Sequence, residues 1–71
     1  MAYRNVKSYS LGNGFAIECV TGEEQGEKYY TILVVIEDVP WRDIVARVEK
    51  LKNPDDANEV FTKMKEIYSK L

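Results

Sequence analysis

Apolar and polar residues alternate from Tyr3 to Leu11 and again from Phe15 to Thr21, the period of two strands that each bury one face. Between them stands Gly12-Asn13-Gly14, and Asn-Gly between alternating runs is a hairpin signal. Two registers satisfy it. A two-residue loop at Asn13-Gly14 pairs Gly12 with Phe15 and leaves Tyr3, Lys7, Tyr9 and Leu11 on the face opposite Phe15, Ile17 and Cys19. A three-residue loop pairs Leu11 with Phe15 and Tyr9 with Ile17. It gathers Tyr3, Tyr9, Leu11, Phe15, Ile17 and Cys19 on one side, and a one-residue slip exchanges the two faces. The second register collects more apolar area and is preferred, although Lys7 and Asn5 must then lie at an edge or end of the sheet.

Residues 22–27, Gly-Glu-Glu-Gln-Gly-Glu, read as a polar loop. A third strand follows from Lys28 to Ile36, with Tyr30, Ile32, Val34 and Ile36 on one face and Tyr29, Thr31, Leu33 and Val35 on the other. A strand apolar on both faces is one that other chain covers on both sides.

Beyond Ile36 the period changes. Asp38 suits a helix N-cap and Pro40 its first turn. Trp41, Ile44, Val45, Val48 and Leu51 recur at helical spacing, with Asp43 and Arg47 four apart in the favourable order. Pro54 disfavours helix at Asn53 and ends this segment. Asn53 can cap a second helix, with Pro54 at its first position and Asp55 and Asp56 at its positive end. Its apolar stripe is Ala57, Val60, Phe61, Met64, Ile67, Tyr68 and Leu71. The expected fold is therefore α+β: a three-stranded antiparallel β-sheet (a meander) followed by two α-helices packed on one face, βββαα. Residues 1–71 form one domain.

Composition narrows the chemistry. A chain of 71 residues has a high surface-to-volume ratio and a small core. One cysteine, Cys19, rules out an internal disulfide, and there is no histidine, the commonest metal ligand and general base. Cys19 alternates with Phe15 and Ile17 and reads as a small core residue. The formal charge of −2 argues against a dedicated polyanion binder. The carboxylates Glu23, Glu24, Glu27, Glu37, Asp38, Asp55, Asp56 and Glu59 fall in a loop, at a strand end and at a helix start, without the spacing of a Ca²⁺ loop. No catalytic motif, metal site or cofactor is expected. The longest apolar run, Ile32 to Ile36, is far below the ~20 residues of a membrane span, and no stretch of signal-peptide length precedes Lys7. A cytoplasmic protein is the expectation. In its bias toward Glu, Lys, Val, Ile and Tyr the chain resembles the short proteins of hyperthermophilic archaea, a resemblance of composition that carries no function.

The third strand is the anomaly. As the last strand of a meander it offers a long apolar edge with no charge or proline from Tyr29 to Ile36. Helices on one side of the sheet leave its other face uncovered. Tyr29, Thr31, Leu33 and Val35 are thus the candidate interaction surface, and the expected partner is a second copy or another protein. The alternative is weak single-stranded nucleic-acid binding on an outer face carrying Tyr3, Lys7 and Tyr9, rings for bases and a cation for phosphate. It requires the two-residue loop.

Overall fold

The loop after the first strand adopts the three-residue form. In a computed structural model, which describes residues 4–37 and 43–71, the Leu11 amide donates to the Phe15 carbonyl at 2.9 Å. Gly12 and Gly14 take φ of 77° and 94°, a region L-residues avoid. Strand β1 (Arg4–Ser10) therefore pairs with β2 (Phe15–Glu24) so that Tyr9 faces Ile17 and Lys7 faces Cys19. The register shifts between Asn5 and Lys7, leaving Val6 as an extra residue. Such a bulge reverses the side-chain alternation beyond it, so Arg4, opposite Thr21, joins the same face as Lys7 and Tyr9.

The expected loop at 22–27 is mostly strand. β2 runs to Glu24 and β3 (Glu27–Ile36) begins three residues later, so only Gln25 and Gly26 turn. Their φ values of 53° and 80° are both positive, as a two-residue type I′ hairpin requires. Glutamine is a poor residue for the first of these positions, and for that reason the turn is hidden in the sequence.

The larger correction concerns residues 43–51. They form β4 (Asp43–Leu51), antiparallel to β3, and the sheet is a four-stranded meander in the order β1-β2-β3-β4. The fold is α+β, but among the described residues with four strands and one helix, ββββα in place of βββαα. The helical spacing at Ile44, Val45, Val48 and Leu51 has a different origin. Two irregularities break the strand's period of two: Val45 is the extra residue between the Val35–Ile44 and Val34–Ala46 pairs, and a second lies between Val48 and Leu51, where Lys50 has φ 57°. The residues turned to the core then read Ala46, Val48 and Leu51, gaps of two and three that mimic a helix. Nine residues are also too few for an isolated helix to be stable in water, whereas the open edge of β3 offers a row of backbone hydrogen bonds. The suggested Asp43–Arg47 helix pair does not form; Arg47 Nε instead meets Glu49 Oε1 at 3.0 Å, two residues along the strand. Asp38, Pro40 and Trp41 lie outside the described residues.

The second expected helix is present as α1 (Pro54–Ser69). Asn53 has extended backbone and its side chain accepts from the Asp55 amide at 2.8 Å. At the other end the Asn13 side-chain amide donates to the Tyr68 carbonyl at 2.8 Å. The first hairpin loop thus adds a side-chain donor to a carbonyl in the last turn that otherwise accepts only a long bond, 3.3 Å, from the Leu71 amide. Ala57 and Phe61 are buried against Ile17, Cys19, Ile32 and Val34, with Val60, Met64 and Tyr68 packed around them. Ile17, Ile32 and Val34 are fully buried, each stabilising the fold by roughly 1.5–3 kcal/mol. Phe15 and Tyr68 meet edge to face with centroids 5.6 Å apart. Ile67 and Leu71, assigned to the same stripe by spacing, are 56% and 71% exposed. The α1 backbone lies closest to β2, β3 and β4 and reaches β1 only through long side chains, Lys7 with Asn58 and Phe61 and Tyr9 with Lys65, so among the described residues the sheet carries one helix, on one face.

Candidate functional site

The face turned away from α1 is built by alternate residues of three strands. The pairings Ala16–Val35, Glu18–Leu33, Val20–Thr31 and Gly22–Tyr29 join β2 to β3, and Leu33–Arg47 and Val35–Ile44 join β3 to β4. Tyr29, Thr31, Leu33 and Val35 therefore share this face, where their alternation places them. Tyr29, Thr31 and Leu33 lie in the floor of a groove of about 360 Å³. Val35 is on the same face beyond it, packed with Ala16 and Leu33.

Two properties differ from expectation. First, β3 is not an edge. It is paired on both sides, with β2 and with β4, and pairing of two copies along its edge is excluded. Second, the four residues are not an exposed patch: their exposures are 6%, 6%, 8% and 4%. They are recessed below longer neighbours. The Tyr29 ring lies across Gly22, where a Cβ would stand 2.7 Å from its Cζ and Oη atoms. Glycine at 22 thus lets the ring lie flat on the sheet, an aromatic side chain covering a strand glycine.

The groove walls come from β4. Ile44, Arg47, Glu49 and Lys50 all line it. Ile44 is 47% exposed and adds apolar surface at solvent level. The rim carries both signs of charge: Arg47 is paired with Glu49, and Lys50 Nζ meets Glu24 Oε2 at 3.1 Å while lying 5.9 Å from the Tyr29 ring centroid. Exposed pairs of this kind contribute at most ~1 kcal/mol each to the fold. None of the β4 residues was identified as part of a site by sequence, because a helix on the opposite face would have carried them away from it.

Lys7 and Tyr9, the alternative nucleic-acid face, do share a face, but it is the helix side. Lys7 Nζ donates to Asn58 Oδ1 at 2.9 Å and lies 4.2 Å from the Phe61 ring centroid. Lys65 Nζ sits 4.3 Å from the Tyr9 ring centroid. The ring and the ammonium proposed for a base and a phosphate are thus engaged with α1, and the outer face does not carry them. Tyr3 lies outside the described residues.

The remaining candidates have structural surroundings. Cys19 is 3% exposed on the helix side, and burial pushes its thiol pKa up, opposed by the charge of Lys7. Glu24 and Glu27 pair with Lys50 and Lys52. Glu37 accepts from the Ser10 hydroxyl at 2.7 Å. Asp55 and Asp56 occupy the first turn of α1. Among the described residues no three metal-ligating side chains cluster, and no helix is long and apolar enough to cross a membrane. Comparison with protein-family models, with curated proteins and with solved structures finds no match for this chain.

Proposed function

We propose that the chain is a protein-interaction module that docks a second copy of itself through the groove over β3 and β4. The observation that supports this reading is the groove itself. Its floor is Tyr29, Thr31 and Leu33, its wall is the half-exposed Ile44, and its volume of about 360 Å³ falls in the ~300–1,000 Å³ range of binding pockets. A concavity of that size admits a protruding apolar side chain, and Ile44 on the wall supplies one. A two-fold contact brings the same patch of each copy together, so one surface provides both the knob and the hole. The rim, with Arg47 and Lys50 beside Glu49 and Glu24, is close to neutral and presents each charge with an opposite charge to meet. Burying this face also answers the small core of a sheet with a helix on one side only.

Light scattering over a wide concentration range is the test, on the wild type and on Ile44→Lys. Ile44 is exposed enough for the lysine to leave the fold intact, which circular dichroism verifies. The wild type is expected to pass from monomer to dimer as concentration rises, and the variant to stay monomeric. A wild type that remains strictly monomeric at the highest concentration overturns the self-association.

A further inference from the structure

On the opposite side of the sheet, beside β1, lies a second depression of about 280 Å³, lined by Arg4, Asn5, Val6, Thr21, Lys28 and Tyr30. Arg4 faces Thr21 across β1 and β2, and Thr21 faces Tyr30 across β2 and β3. The Val6 bulge turns Arg4 to this face. We propose that the pocket binds a small phosphate monoester.

The lining is made of donors. It holds a guanidinium, an ammonium and two hydroxyls, and among the described residues no carboxylate lines it. Its two cations match the charge of a phosphate monoester, about −1.5 to −2 at neutral pH. The arginine fork suits two oxygens of one phosphate, and lysine adds a point charge. Thr21 is only 8% exposed, and its hydroxyl makes one long hydrogen bond, 3.4 Å to the Arg4 carbonyl. A phosphate oxygen offers that nearly buried group a better acceptor.

The cations are also free to act. At the same end of the sheet Lys50 and Lys52 are taken up by Glu24 and Glu27, whereas Arg4 and Lys28 enter no ion pair among the described residues. Lys28 stands opposite Glu23 in the β2–β3 register, yet no ion pair forms between them; its ammonium lies 5.6 Å from the Tyr30 ring centroid. The volume exceeds what a phosphate group fills and leaves room for a small organic group against that ring.

The test is a titration of the isotope-labelled full chain, followed by amide chemical shifts, with inorganic phosphate and with glycerol phosphate at constant ionic strength. The expected result is a saturable response confined to residues around Arg4, Thr21 and Lys28, tighter for the ester than for inorganic phosphate. Arg4→Gln with Lys28→Gln is expected to abolish it while the spectrum elsewhere stays unchanged. Glu23→Gln is expected to tighten binding about twofold to threefold by removing a nearby like charge. Shifts that never saturate and spread equally over Lys63, Lys65 and Lys70 overturn the proposal, as does a double variant that responds like the wild type. Neither result depends on self-association through the other face.

Discussion

Gly22 and Tyr29 face one another across β2 and β3, and the ring occupies the space a Cβ at position 22 would need. Gly22→Ala therefore forces the ring out of its seat in the groove floor. Overpacking of this kind costs about 1–3 kcal/mol, expected as a lower urea midpoint with the slope unchanged. An unaltered midpoint would mean that the ring does not rest on the glycine. Cys19 gives the pH prediction. Burial raises its thiol pKa in the folded state, so the native protein holds this proton more tightly than the unfolded chain does. The stabilisation is complete below the ordinary thiol value and is lost as pH rises through the raised folded value. Denaturant unfolding at several pH values should show the wild type losing stability on the alkaline side relative to Cys19→Ala. Parallel curves would remove the effect. Cysteine in alternation with Phe15 and Ile17 already indicates a core position; the opposing Lys7 could be located only once the register was known.

At the scale of the elements, legibility followed local chemistry. The N-terminus of α1 is written in Asn53-Pro54-Asp55-Asp56, and it forms where those residues indicate. The first hairpin is written in Gly12-Asn13-Gly14, and its preferred register forms. The second hairpin is not, because Gln25 occupies a left-handed position that costs an L-residue about 1–2 kcal/mol. Gln25→Asn keeps the turn with a residue that tolerates this conformation. It is expected to recover part of that ~1–2 kcal/mol, read as a higher melting temperature; a lower one would show that the turn is not of this type. β4 is the clearest failure of pattern. Its irregularities at Val45 and near Lys50 give a strand the spacing of a helix, and hydrophobic periodicity alone cannot separate the two in nine residues.

For the molecule as a whole, the position of α1 sets the distribution of stability. The helix covers β2, β3 and β4 and touches β1 only through the surface side chains of Lys7 and Tyr9, so β1 is held mainly by one hairpin ladder, with every one of its residues exposed. Regions with few buried contacts open at lower free energy than the core. Native-state hydrogen exchange should therefore find β1 amides exchanging through an opening well below the global unfolding free energy, with β2 and β3 near the global value. Uniform protection across all four strands would contradict this distribution. The pocket at Arg4 spans β1 and β3, so an occupant there should slow β1 exchange. The groove lies over β3 and β4, and its occupant should leave β1 unaffected.

Neighbours along the chain are enough to set the alternating faces of β2 and β3, the glycine loop, the capped helix from Pro54, and the grouping of Tyr29, Thr31, Leu33 and Val35 on one side. These follow from pleat geometry, from backbone angles only glycine takes easily, and from a cap two residues from its donor. Packing between elements was needed to make residues 43–51 a strand, β3 internal, and the four grouped residues a recessed floor. A nine-residue segment with mixed spacing has no strong preference of its own. The unpaired backbone edge of β3, beyond the reach of any local helical turn, decides its conformation, and the long side chains that β4 then brings turn an expected flat apolar face into a groove.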